Sequence, residues 1–245
     1  MTLLHDYQGG TSYARGEPVG RARDPAWARH IALYKSYAEG GAPAVTLVRP
    51  ERLPTSDLWE ALRTRRSRRD FTDEAITQES LFLLLWAAQG VTATDGPRAL
   101  RTAPSAGAKY PVETYLCAAR VAGLQPGLYH WELPEERLAE VEARRDIAAA
   151  ACRACLDQPM VAQAPATFIW TAAWGRSAEK YGDRALRYAY LDAGHVAENL
   201  ALAAEALGLG ACMIGAFFDD EMNDLVGVDG TGESVLYAAC VGHPA

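Results

Sequence analysis

Apolar positions fall at helical spacing in "PTSDLWEALRTR", where Leu58 and Leu62 lie one turn apart behind Thr55 or Ser56 as the N-cap. They do so again in "TQESLFLLLWAAQG", between a Thr77 cap and a stop at Gly90. Strand patterns follow in "VETYLCAARV", in the hairpin "GLYHWELPEERLAEV" and in "ATFIWTAAW". The Ala-rich "DIAAAACRACLDQ" between them reads as helix. The strongest helical pattern is "LDAGHVAENLALAAEALGLG", apolar on nearly every side and ending in Gly208 and Gly210, which places it at the centre of the protein or of a dimer. "ACMIGAF" and "SVLYAACVG" read as closing strands. Helices and strands mix without a regular βαβ repeat, so the pattern predicts an α+β layered fold. Residues 1–50 are irregular, rich in Gly, Pro and Tyr, with one candidate helix in "DPAWARHIALYKSYAEG"; they read as an extension packed on a core domain over 51–245.

Composition narrows the picture. The chain has 245 residues, 49% of them hydrophobic, and a formal net charge of −7. That material fills one sizeable core or two small ones. The acidic balance argues against nucleic-acid binding. No run of about 18 apolar residues is present to span a membrane. The N-terminus lacks the basic start and apolar centre of a signal peptide, so a cytoplasmic protein is expected. The five cysteines, 117, 152, 155, 212 and 240, do not read as a disulfide framework. Cys152 and Cys155 form a C-x-x-C inside a helix, with no second pair or His at zinc spacing. The cysteines are read as small buried hydrophobes, with no metal site.

Three stretches carry candidate chemistry. "RTRRSRRDF" holds five arginines in the seven residues from Arg63 to Arg69. It is either a solvated helix end or an anion site, since Arg forks grip phosphate oxygens and Ser67 adds a hydroxyl. "GLGACMIGAF" matches neither the G-x-G-x-x-G fingerprint nor a P-loop; it is a helix-to-strand turn, or a Gly-lined backbone for a flat ligand. "RTAPSAGAKYPVE" gathers Pro104, small residues and Gly107, which permit close backbone approach, beside Lys109 and Tyr110, which can both move protons. Two near misses exclude other classes. "HVAEN" has Asn199 where a zinc motif needs a second His, so His195 is read as a core or interface residue. Ser105 and Lys109 are four apart, not three as in S-x-x-K, which disfavours a serine hydrolase.

In this order, "RRSRRDF", "APSAGAKYP", "AGHVAENLALAAEALGLGACMIGAF" and "YAACVGHP" resemble the nitroreductase family of FMN flavoproteins over residues 55–243. The "PSAGA-x-YP" loop and the upstream "YKSY" resemble the branch of SagB-type dehydrogenases, which oxidise thiazolines and oxazolines in modified peptides. The resemblance implies a layered sandwich, a central mainly antiparallel sheet flanked by helices, forming an intertwined homodimer with FMN between subunits. It assigns Arg65, Ser67 and Arg69, with Arg66 adjacent, to the FMN phosphate and ribityl chain. Pro104, Ser105, Ala106 and Gly107 are assigned to the flavin ring, reaching across from the other subunit, and Ile214 and Gly215 to the ring's opposite side. His243 stands where the branch carries a phosphate-binding Arg, which makes that contact pH-dependent or removes it. Lys109 and Tyr110 match a catalytic Lys-Tyr pair of the azoline-oxidising relatives.

The leading reading is an FMN-dependent dehydrogenase of a heterocycle or related intermediate of a peptide-derived natural product, working beside other enzymes of a pathway. An NAD(P)H-dependent nitro or quinone reductase shares the same site. A third reading is a non-catalytic scaffold or peptide-binding subunit, favoured by His243 and opposed by the intact Arg65–Arg69 segment.

Overall fold

The computed structural model describes Tyr7, Thr11, Ser12, residues 32–96 and residues 98–245. In chain order the strands are β1 (Ala44–Thr46), β2 (Val91–Asp95), β3 (Arg98–Arg101), β4 (Val112–Ala118), β5 (Gly127–Glu132), β6 (Arg137–Ala143), β7 (Ala166–Ala173), β8 (Gly210–Ile214) and β9 (Glu233–Gly242). The α-helices are α1 (Leu58–Thr64), α2 (Gln78–Gln89), α3 (Ile147–Ala154), α4 (Pro159–Gln163), α5 (Gly175–Tyr181), α6 (Ala185–Ala206) and α7 (Asp219–Val226). Seven strands form one sheet in the order β1-β6-β5-β4-β7-β9-β8, with antiparallel pairing throughout; β2 and β3 form a separate hairpin. The expected α+β sandwich with an antiparallel centre is what the chain builds.

Burial on both faces explains why β4 and β7 read as continuous apolar runs: every residue of both is buried. Leu116 and Ala118 of β4, with Phe168 and Trp170 of β7, point to one core, filled by Leu81 and Leu85 of α2 and Val196 and Leu200 of α6. Tyr115, Cys117 and Ile169 point to the other, filled by Ile147 and Ala151 of α3 and Met222 and Val226 of α7. This is the period-two alternation of a strand serving two layers. Cys117, Cys155, Cys212 and Cys240 are buried in the second core and Cys152 packs against it, all as free thiols. Burial, and then the neighbouring Cys152, pushes the Cys155 thiol up to about 12. The reading of these residues as hydrophobes therefore holds.

Several local readings change. Asp57, not Thr55 or Ser56, caps α1, its carboxylate accepting from Trp59 N at 2.8 Å and Glu60 N at 3.4 Å. Thr77 caps α2 as expected, accepting from Ser80 N at 3.1 Å. Of the helix expected over 24–40, residues 24–31 lie outside the described residues, and the rest contains only a 3-10 turn at Ala38–Gly40. The long helix α6 is buried on one side only. Ala189, Ala193, Ala197 and Ala204 face the core, whereas Tyr190, Leu191, His195 and Glu198 are exposed in the single chain. His195 is thus not a core residue. Among the described residues no helix is long and apolar enough to cross a membrane.

Residues 32–46 lie along the second face. Glu132 at the end of β5 accepts from Ser36 Oγ at 2.9 Å, Tyr37 N at 2.6 Å and Ala38 N at 2.9 Å. Lys35 Nζ lies 2.9 Å from Glu233, and β1 extends the sheet beside β6. Truncating the fully buried Leu85 to Ala leaves a cavity between α2 and the sheet. Urea denaturation of that variant is expected to show a loss of about 2–5 kcal/mol.

Candidate active site

The Arg-rich segment leaves α1 and runs past the ends of β8 and β9. Ser67 forms a parallel bridge with Ala211, and Arg68 N donates to Ala211 O at 3.0 Å. A Cβ on Gly210 would lie 2.7 Å from Arg68 Cβ, so only glycine lets the segment come this close. At the other end Phe71 bridges Pro244, and Thr72 N donates to His243 O at 2.9 Å. The arginines divide. Arg63 pairs with Glu60 at 2.5 Å, and Arg65 Nε lies 3.9 Å from Glu198 of α6. Arg66 donates to the Arg63 and Arg65 carbonyls, while Arg68 and Arg69 make no ion pair among the described residues. Ser67 and Arg69 are exposed, and His243 Nε2 stands 3.7 Å from Glu74.

The second half of the site is a strained loop. Gly107, Ala108 and Tyr110 all take left-handed φ values, +60°, +51° and +46°. For a residue with a side chain this conformation costs about 1–2 kcal/mol, and it persists where surrounding contacts fix it. Ser105 supplies such contacts: its hydroxyl donates to Asp192 Oδ2 at 2.6 Å and accepts from Tyr110 N at 2.9 Å. Asp192 is buried on α6. Burial pushes its carboxyl up, and the hydrogen bonds from Ser105 and Ala106 N, with the charge of His195, only partly offset this. Gly107 is needed for inward packing, since a Cβ there would meet Tyr181 Oη at 2.3 Å. Its other side, with Pro104, is exposed.

The Lys-Tyr pair splits in direction. Lys109 Nζ lies 3.4 Å from the exposed Glu179 of α5. Tyr110 turns inward and is 8% exposed; its hydroxyl accepts from Arg101 N at 3.2 Å, and the Arg101 guanidinium sits 4.5 Å over its ring. Ile214 is buried at the end of β8. At Gly215 an added Cβ would meet only Tyr237 Cε2, at 3.7 Å, so the backbone there is open to an approaching group. No hydrogen bond or ion pair joins the Arg65–Arg69 segment to the Ser105–Tyr110 loop among the described residues. Both instead meet α6, at Glu198 and Asp192, six residues or about 9 Å apart along the axis.

A buried charged cluster beneath the loop escaped the sequence reading. Glu113 is 2.5 Å from Arg176 and 2.9 Å from His130 Nε2, and Arg101 lies 2.5 Å from Gln89. Burial pushes the Glu113 carboxyl up, but Arg176, His130 and Arg101 together outweigh it and bring it down to about 2. Burial also lowers Arg101 to about 10. The available signal was Glu113 and His130, two ionisable residues inside otherwise apolar strands.

The model of the nitroreductase family matches residues 62–243. The chain belongs to the nitroreductase family. The Methanocaldococcus jannaschii protein MJ1384, named as a nitroreductase, is 38% identical over 173 residues, 69% of this chain and 83% of that one. The trifolitoxin-processing protein TfxB of Rhizobium leguminosarum bv. trifolii is 32% identical over 118 residues, 46% of this chain and 32% of TfxB. Among solved structures, a nitroreductase-type protein of Anabaena variabilis superposes with a TM-score of 0.74 at 28% identity, covering 87% of this chain and 44% of that chain. This chain therefore spans under half the length of that protein and a third of TfxB. A chain of the E. coli microcin synthetase McbBCD complex, with truncated pro-MccB17 bound, gives 0.64 at 20% identity over 99% of this chain and 92% of that one. The Vibrio harveyi NADPH:FMN oxidoreductase complexed with NAD+ gives 0.55 at 20% over 76% and 68%. These last two likenesses show the fold alone.

The nitroreductase family is one of FMN-dependent oxidoreductases, and the donor set here fits that cofactor. The exposed Arg68 and Arg69, without ion-pair partners among the described residues, adjoin Ser67 in sequence and supply the donor types a phosphate requires, and the backbone at Gly215 is open enough for a flat group to approach.

Glu113 and Asp192 have opposite linkage. The folded state lowers Glu113, so its stabilisation is present above the ordinary 4.5 and is lost as pH falls toward about 2. The folded state raises Asp192, so its contribution is present below the ordinary 3.8 and is lost as pH rises through the folded value. In urea titrations, Glu113→Gln should flatten the loss of stability between pH 4.5 and 2.

Proposed function

We propose that this chain is an FMN-dependent dehydrogenase that oxidises a heterocycle or related intermediate of a peptide-derived natural product. The observation that carries the reading is the Lys109–Tyr110 pair at the exit of the strained Ser105–Tyr110 loop, where Lys109 Nζ stands 3.4 Å from Glu179. The similarity to TfxB, a trifolitoxin-processing protein, supports a natural-product substrate.

In this reading Arg65, Arg66, Ser67 and Arg69 hold the FMN phosphate and ribityl chain, with His243 as a further phosphate contact. Pro104, Ser105, Ala106 and Gly107 bear on the flavin ring from the second subunit of a homodimer, and Ile214 and Gly215 line its opposite side. When bound, FMN supplies a two-electron hydride acceptor. Dehydrogenation of an azoline also releases a proton, and that proton belongs to the protein. Lys109 takes it at Nζ, with the Glu179 carboxylate beside the ammonium that results. Tyr110 orients the pair: its hydroxyl accepts from Arg101 N, and its main chain sets the direction in which Lys109 leaves the loop. The exposed side of α6, with Tyr190 and Leu191 each more than half exposed, and Trp59 of α1 supply apolar surface for the subunit interface.

Anaerobic mixing of the FMN-loaded protein with a thiazoline-containing peptide should bleach the flavin absorbance and yield a peptide lighter by two hydrogens. Lys109→Ala should keep its FMN and lose about 100-fold or more in that step. Bleaching by NADPH with an inert thiazoline would overturn the proposal in favour of a nitro or quinone reductase.

A further inference from the structure

Tyr110 has three polar handles, and each is engaged. Its N–H donates to Ser105, its hydroxyl accepts from Arg101 N, and its carbonyl accepts from Arg176 Nη1 at 3.2 Å. Arg176 stands on α5, which also brings Glu179 to Lys109 and Tyr181 against Gly107. Its guanidinium is 5% exposed and serves three parts of the chain. Nε donates to Ala32 O at 2.8 Å, Nη1 to Tyr110 O, and Nη2 pairs with Glu113 of β4 at 2.5 Å.

We propose that Arg176 is the positioning residue of the Ser105–Tyr110 loop, and that it couples this loop to the N-terminal segment at residues 32–38. A left-handed tyrosine needs its main chain held on both sides, and Arg176 is the group that holds the carbonyl side. The planar fork matters because its donors leave in fixed, different directions. The lysine ammonium is a single point charge on a flexible stem, which can keep the Glu113 pair but not both carbonyls. Glu113, with His130 behind it, anchors the fork to the sheet, so the two carbonyls it reaches are held relative to each other. On this account residues 32–38, pinned further by Glu132 and Glu233, form the outer support of the loop. The coupling stands on these contacts alone; only its effect on FMN rests on the function proposed above.

The test is amide hydrogen exchange on the full-length protein freed of FMN, combined with FMN affinity by fluorescence quenching. Arg176→Lys keeps the buried charge pair, and Arg176→Gln with Glu113→Gln removes both charges together, leaving no lone buried carboxylate. Exchange should rise at least tenfold in residues 106–112 and 32–38 together, with β7 and β9 as protected as before. FMN dissociation constants should weaken by tenfold or more in the double variant and by less in Arg176→Lys. Unchanged protection in either segment, with the fold retained, overturns the proposal. If the parent protein itself takes up no FMN, the exchange result still decides the coupling, and the failure falls on the function.

Discussion

The hydrogen bond from Ser105 to Asp192, 2.6 Å long and reaching a buried carboxylate, fixes where the Ser105–Tyr110 loop can be. A buried, solvent-shielded acceptor makes such a bond short and demanding, because its loss leaves only Ala106 N and the charge of His195 to offset the burial of the carboxyl. Ser105 also accepts from Tyr110 N, so the same hydroxyl shapes the loop and attaches it to α6. The other half of the site meets that helix through Arg65 and Glu198. The helix itself lies close on the core because it presents Ala189, Ala193, Ala197 and Ala204 to it. Small residues on one side and the Asp192 and Glu198 contacts on the other make α6 the common reference of two segments joined by no hydrogen bond or ion pair among the described residues.

The antiparallel sheet divides labour between its faces. The face toward α2 and α6 is an apolar core built on Leu116, Phe168 and Trp170. The opposite face mixes apolar packing with ionisable groups: Glu113, His130 and Tyr115, closed over by Lys35 and Tyr37. Burial pushes the Tyr115 phenol far above its usual range, with Glu233 adding to it, so it remains a neutral hydrogen-bonding group. Buried charges of this kind are held by partners and are costly when one partner is removed. Their position beneath the loop, joined to it by Arg176, ties fold and site together.

Much of this was legible in the chain. Thr77 and the apolar stripe after it gave α2, and the strands β4, β5, β6, β7, β8 and β9 follow the predicted runs. The Arg segment, the "PSAGAKYP" loop and the glycines near 210 and 215 drew the candidate site because their residue types are unusual for loops that only connect. What sequence could not convey was direction. Gly107 reads only as a residue permitting close backbone approach, and the structure adds that Tyr181 packs where its side chain would be. Lys109 and Tyr110 read as a pair able to move protons, with no direction for either; the left-handed backbone turns Tyr110 under Arg101. Helix α6 read as central to the protein or to a dimer, because alanine and leucine carry no sign of which side meets the sheet. The hairpin of β2 and β3 was missed because its polar, mostly exposed first strand has no core-facing alternation.

The central claim is that two segments, both held by α6, complete an FMN site across a pair of chains. Native mass spectrometry of the purified protein tests it most directly, since it reads subunit number and bound cofactor on one ion. The account predicts a dimer of the 26.5 kDa chain carrying one FMN per subunit, which dissociates into FMN-free monomers when the subunits separate. A monomer that retains FMN, or a dimer that takes up none when it is supplied, would contradict it.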